Sequence, residues 1–199
     1  MSSLGIFGGS FDPFHLGHRH VLDTVTRHQN ITKLLVVPAY QSPLKPVTHA
    51  STDHRIQMCQ LGIQDQPKWE VWDWETRQES PSYTIDTVLH LQHEFKGFDP
   101  ILIMGSDSAS TLSTWHRFSE LISLISVIVV HRDIPDFSPN TVVTQIALEH
   151  RHRFTFIEIP PVAITATNIR DRLKSGQSIN DLVGPAVARY IRREGLYRS

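Results

Sequence analysis

Residues 8–18, GGSFDPFHLGH, concentrate the side chains whose types and spacing could do chemistry. His15 and His18 stand three apart at the start of a helical stretch, a spacing that lets both project from one face. Two imidazole N–H donors so placed can neutralise the charge that grows on a phosphoryl group in a transition state. Gly8 and Gly9 let the backbone approach a phosphate, and successive N–H groups through Ser10 and Phe11 can form an anion-binding nest leading into the helix N-terminus. A capped, solvated helix start is the bland alternative for the two histidines. A metal pair is another, since His20 completes H-x-x-H-x-H. His20, however, points away from His18 on a helix and no third ligand of matching geometry is evident, so no metal site is assigned. Neither G-x-G-x-x-G nor G-x-x-x-x-G-K-[ST] occurs, so hydride transfer on a nicotinamide cofactor and P-loop hydrolysis both lack their signature.

A loop of this kind needs a strand before it and a helix after it. LGIF from Leu4 supplies the strand and residues 17–28 read as the helix. Further β-branched runs, KLLVVP from Lys33, ILIMG from Ile101, SVIVVH from Ser126 and FTFIEIP from Phe154, alternate with helical stretches at 51–63, 83–95, 112–124 and 140–150. Continuous apolar character in the second and fourth of the five strands indicates burial on both faces, the mark of a parallel sheet. The expected fold class is therefore α/β, a doubly wound parallel sheet with the glycine loop at the carboxyl edge where such sheets bind ligands. Residues 167–174 and 185–194 read as two closing helices, with Pro185 at N1 and Gly176 and Gly195 at C′. Residues 39–50, holding Pro43 and Pro46 without periodicity, read as a long mobile loop.

At 199 residues, 40% hydrophobic and 20% charged, the chain suits one domain, residues 1–199, divided into an α/β core over 1–160 and a C-terminal helical segment over 161–199. A formal charge of −1 with no Lys/Arg cluster argues against a nucleic-acid partner. The lone Cys59 reads as a buried helical thiol and fits a reducing cytoplasm. The longest apolar run, ISLISVIVV, is too short to span a bilayer, and Met1 leads straight into a strand, so neither membrane nor export is expected. A homo-oligomer stays open.

The first segment resembles the G-x-F-D-P-x-H-x-G-H signature of the adenylyltransferases related to class I aminoacyl-tRNA synthetases, and ITATNIR at 164–170 resembles their second motif. PAYQSPLK at 38–45, Arg55, SYTIDT at 82–87, GSD at 105–107, Trp115 and VARYIRREGLYR extend the similarity, end to end, to the bacterial nicotinate-nucleotide adenylyltransferase family. The chain departs from that pattern at Phe14, Leu44, Thr165 and Ala166. The resemblance implies a Rossmann-like sheet and adenylyl transfer from ATP, accompanied by Mg²⁺, to nicotinate mononucleotide. It implies catalytic roles for His15, His18 and Arg170, and ATP contacts from Gly8, Gly9, Ser10, Phe11, Gly105, Asp107, Ile164, Thr165 and Thr167. Mononucleotide contacts are implied for Lys45, Tyr83, Thr84, Trp115 and Arg132, with Arg170 on a helix opened by Thr167. For Asp107, an ordinary N-cap is the competing reading, and for Trp115 a core position in a helix. An amide-preferring or dual-specificity enzyme, a pantetheine-phosphate adenylyltransferase, and a catalytically silent nucleotide-binding module are the rival functions.

Overall fold

Alternation along each strand builds two separate cores. In β1 (Ser2–Gly9), Leu4 and Ile6 point to one face and Phe7 to the other; in β2 (Lys33–Pro38), Leu35 and Val37 oppose Leu34 and Val36. The same division recurs in β4 (Phe98–Gly105), where Leu102 and Met104 oppose Ile103, and in β5 (Ser126–His131), where Val127 and Val129 oppose Ile128 and Val130. The computed structural model describes residues 2–43, 47–131, 139–144, 146–160 and 162–198. With β3 (Trp69–Val71) and β6 (Phe154–Glu158) the strands form a six-stranded sheet in the order β3-β2-β1-β4-β5-β6, every pairing parallel. This is the doubly wound Rossmann-like order, and its topological switch falls between β1 and β4.

One face is covered by α1 (Leu16–His28), α2 (Thr52–Ile63), α7 (Ala166–Lys174), α8 (Asn180–Val183) and α9 (Pro185–Glu194). The other is covered by α3 (Thr84–Glu94), α4 (Ser106–Ser110), α5 (Phe118–Leu124) and α6 (Pro139–Thr144). The C-terminal helices thus pack beside α1 and α2, which brings the second motif towards the first. Pro185 opens α9, and Gly176 and Gly195 adopt left-handed conformations where α7 and α9 end.

Two expected helices need correction, and a short strand and the flanks of the 39–50 segment carry structure that the sequence does not show. The edge strand β3 was not foreseen, because WEV is too short to show a run. The stretch 112–124 is not one helix: a 3-10 turn at Leu112–Thr114 gives way to extended Trp115 and left-handed Arg117 before α5 begins. The Thr114 hydroxyl bonds the Thr111 carbonyl at 2.7 Å, one of the local bonds with which Ser and Thr compete against helix. Likewise 140–150 divides into α6 and a 3-10 helix at Leu148–Arg153. The 39–50 segment is anchored at its described flanks: Gln41 bridges Pro81, the Tyr40 N–H donates to Ser82 Oγ at 3.0 Å, and the N–H groups of His49 and Ala50 are bonded. Residues 44–46 lie outside the described residues.

Phe14 is 1% exposed, and its ring fills the place that a Cβ on Gly62 of α2 would take. On an open helix face Gly→Ala stabilises by about 1 kcal/mol. Here the ring is hemmed in by Phe11 and His18, so Gly62→Ala is expected to destabilise the fold by about 1–3 kcal/mol through overpacking, measured as a lowered denaturant midpoint. A raised midpoint would mean that Phe14 yields at little cost.

Candidate active site

The loop after β1 is organised by one buried carboxylate. Asp12, 6% exposed, accepts from the His49 N–H at 2.7 Å, the Ala50 N–H at 3.1 Å and the Tyr197 hydroxyl at 2.7 Å, with the His49 ring Nδ1 at 3.2 Å. Burial pushes this carboxyl up, but the donors outweigh it and hold it below its ordinary range. Tyr197 is pushed the other way, by burial and then by the Asp12 charge. Fully buried Arg55 works beside it, donating to the carbonyls of Ser10 (2.8 Å), Ala39 (2.7 Å) and Tyr40 (3.2 Å), so the loops after β1 and β2 are clamped together. Burial lowers its pKa, and Asp12 is the first of the charges that oppose this.

Phe11 sits at φ +50°, the left-handed region, held there by ring contacts to Phe7, Phe14 and His18 at centroid distances of 5.7, 5.8 and 5.0 Å. Such a residue turns consecutive N–H groups inward, as an anion nest requires. The N–H groups of Ser10 and Phe11 take no partner among the described residues. A side chain on Gly8 would enter open space, whereas one on Gly9 would press on the Phe11 ring at about 3.0 Å. Close backbone access is thus left in front of the loop.

His15 and His18 form a reciprocal cap on α1. The His18 N–H donates to His15 Nδ1 at 3.3 Å, and the His15 N–H donates to His18 Nδ1 at 3.2 Å. The rings stack with centroids 3.6 Å apart and an 18° interplanar angle. Because each Nδ1 must accept, each ring carries its proton on Nε2, giving two N–H donors of fixed tautomer. The capped-start alternative therefore holds in its capping but not, at His15, in its solvation, since that residue is 7% exposed and His18 is half-buried. A metal pair is disfavoured geometrically: both Nδ1 lone pairs are occupied and stacked rings do not converge on one point.

The second motif meets this loop directly. Thr165, not Thr167, caps α7, its Oγ accepting the Asn168 N–H at 3.1 Å; the cap falls two residues early because Thr165 is extended and Ala166 is already helical. Ala166 is the first helical residue, where the hydroxyl it lacks has no capping task. Arg170 Nη1 donates to the Asp12 carbonyl at 2.7 Å, and Nη2 to Thr167 Oγ at 3.2 Å. Ile164 lies beside α1, its carbonyl 3.5 Å from where a Cβ on Gly17 would stand. Across the switch point, β4 ends at Gly105, the N-cap of α4, with exposed Asp107 in the first turn. Asp107 is therefore not the N-cap.

A second group gathers at the start of α3. Tyr83, the N-cap residue, gives no side-chain cap, and its ring lies 4.6 Å from that of His116. Thr84 is the first helical residue, and Asp86 pairs with Arg117 at 3.6 Å, which draws the 115–117 segment to this helix start. Trp115 is half-buried outside any α-helix, packed against the second core with its Nε1 lacking a partner among the described residues. Lys45 and Arg132 lie outside the described residues. Reading by motif gave Asp12, Arg55, His49 and Tyr197 no role; the available signal was an aspartate inside the glycine segment and an arginine inside an apolar helix face.

The family model described as cytidylyltransferase-like matches residues 6–172, so a nucleotidyltransferase class goes with this fold and site. A relative from Oceanobacillus iheyensis, named "probable nicotinate-nucleotide adenylyltransferase", is 34% identical over 197 residues, covering 99% of this chain and 97% of its own. One of the same name from Rhodopirellula baltica is 35% identical, covering 98% and 93%. The chain belongs to the nicotinate-nucleotide adenylyltransferase family. A Plasmodium falciparum nicotinic acid mononucleotide adenylyltransferase complexed with NaAD shares the fold at a TM-score of 0.81 and 22% identity, over 99% of this chain and 98% of that one.

Burial pushes His15 down from 6.5 to about 4. The unfolded chain therefore binds more protons between those values, and stability present above pH 6.5 is lost as pH falls towards 4, by about 3 kcal/mol. His15→Asn keeps a capping oxygen but cannot titrate. Its stability is expected to change less than wild type's between pH 6.5 and 4 in denaturant melts, and parallel curves would show that His15 is not the titrating group.

Proposed function

We propose that this chain transfers the adenylyl group of ATP to nicotinate mononucleotide. A phosphate oxygen of the mononucleotide attacks the α-phosphorus, the α–β P–O bond breaks, and pyrophosphate leaves with the dinucleotide formed. The substrate supplies the nucleophile, so no protein base or covalent intermediate is needed and positioning with electrostatics must supply the acceleration. The observation that carries this reading is the pair of Nε2–H donors held in fixed tautomers beside the nest.

His15 and His18 are assigned to the ATP phosphates, with His18 nearer the α-phosphate, and the Gly8–Phe11 backbone and Ser10 to the same triphosphate. Arg170, steered by the Asp12 carbonyl, is assigned to the β- and γ-phosphates, where a planar fork suits a departing pyrophosphate. Gly105 and Asp107 are assigned to ribose and adenine; Ile164, Thr165 and Thr167 to the wall of the ATP site. Trp115 would stack on the pyridine ring, with Tyr83, Thr84 and the uncapped N–H groups of α3 facing its carboxylate. Lys45 and Arg132 are proposed to reach the mononucleotide phosphate. Mg²⁺ is proposed to arrive with ATP: the oxygens of Asp12 are already taken by protein donors, which leaves the cation to phosphate oxygens and water, where it would screen phosphate charge. The same reading treats residues 1–199 as one unit working in the cytoplasm.

His18→Ala is expected to lower kcat by about two to four powers of ten, well beyond what the lowered melting temperature from losing half of the α1 cap explains; near-normal turnover would end its assignment. Pyrophosphate release from ATP with a panel of mononucleotides tests the function. The acid is expected to exceed the amide in kcat/KM by about tenfold or more, because an amide NH₂ would face donors and leave an N–H unpaired. Equal use would sink the acid preference, and ATP binding without release for any acceptor would favour the silent module.

A further inference from the structure

Glu75, in the 3-10 turn Glu75–Arg77 that follows β3, is a buried carboxylate, 8% exposed, with no part in the chemistry above. It accepts the Thr87 hydroxyl at 2.5 Å, and the Ser82 hydroxyl stands near enough to draw its pKa down. Burial pushes its carboxyl up, against the pull of those two donors. Both partners are committed elsewhere too. Ser82 Oγ accepts the Tyr40 N–H at 3.0 Å, and the Ser82 N–H donates to the Gln41 carbonyl at 2.9 Å. The Thr87 N–H reaches the Tyr83 carbonyl at 3.3 Å, and its hydroxyl lies 3.4 Å from the same oxygen.

One carboxylate therefore joins three pieces of chain: the turn after β3, the residues that open α3, and the strand-end after β2 that leads to Lys45. A buried acid is a poor way to gain stability alone, since apolar packing of similar volume does as well or better. What two hydroxyl donors on one carboxylate do supply is direction, because they fix where Ser82 and Thr87 stand on either side of Tyr83 and Thr84. The N-cap residue gives α3 no side-chain bond, so this start is oriented from outside the helix.

We infer that Glu75 is a positioning residue for the acceptor mononucleotide, holding the Ser82–Thr87 segment and the 39–43 strand-end in one arrangement through two hydroxyls. The inference rests on the reading of Tyr83 and Thr84 as the acceptor subsite. The ATP side has its own holds in Asp12, Arg55 and α7, and Arg55 grips Ala39 and Tyr40 whether or not Glu75 is present, so losing Glu75 should act chiefly on the acceptor.

The test is steady-state kinetics of full-length wild type, Glu75→Ala and Glu75→Gln with nicotinate mononucleotide and ATP varied in turn, alongside melting temperatures. Glu75→Ala is expected to raise KM for the mononucleotide about tenfold while KM for ATP stays within about twofold. Glu75→Gln, whose amide oxygen still accepts one hydroxyl, should recover to within about threefold of wild type. Unchanged KM for the mononucleotide, or equal rises for both substrates, would overturn the inference. Should Glu75→Ala fail to fold, Ser82→Ala and Thr87→Ser each probe one hydroxyl partner; Ser82→Ala must raise the mononucleotide KM alone, while Thr87→Ser, which keeps the hydroxyl, must not. If wild type uses another mononucleotide, the acceptor assignment fails separately, and the same contrast measured with that acceptor still decides the role of Glu75.

Discussion

The Asp12 carboxylate is the constraint on which the glycine loop, the α2 start and the C-terminal segment all depend. Buried without donors, it would either cost several kcal/mol or take up a proton. Its donors come from α2's approach at His49 and Ala50 and from Tyr197, so satisfying one charge fixes three distant stretches of chain. An anion in the floor of a loop proposed to take phosphate would ordinarily repel that ligand. Here its charge is shared among those donors and faced by Arg170, 3.9 Å away, and by Arg55. The same residue's carbonyl aims Arg170. Structural and chemical demands therefore converge on one side chain.

The histidine pair shows the same economy at closer range. Capping α1 and fixing two tautomers require identical hydrogen bonds, so a helix start that is properly formed already presents both Nε2–H groups. Phe7, Phe11 and Phe14 pack around the His18 ring and fix its orientation. The departure at Phe14 is absorbed by Gly62, which yields the space on α2 that a larger ring needs.

Legibility in the sequence followed the range of the interaction. Five strands announced themselves through apolar runs, and a doubly wound parallel sheet follows from their alternation with helices. The local histidine spacing was visible, as were the α9 boundaries with Pro185 at one end and Gly195 at the other. What stayed hidden is non-local. Tyr197 bonds to a residue 185 positions away, and Arg55 clamps carbonyls that carry no side-chain signal at all. β3 escaped because three residues have no period, and the break in 112–124 because the Thr114 bond to Thr111 and the left-handed Arg117 interrupt a stretch whose apolar pattern alone reads as one helix.

The bond between Tyr197 and Asp12 also orders events in time. On a growing polypeptide the glycine loop and its histidines are made early, yet the donor that completes the carboxylate's shell is added 185 residues later. Until then the glycine loop holds an acidic group with a missing partner. Strands β1, β2 and β3 pair among themselves, so a nascent or truncated chain can hold that part of the sheet before Tyr197 is there to complete the shell of Asp12.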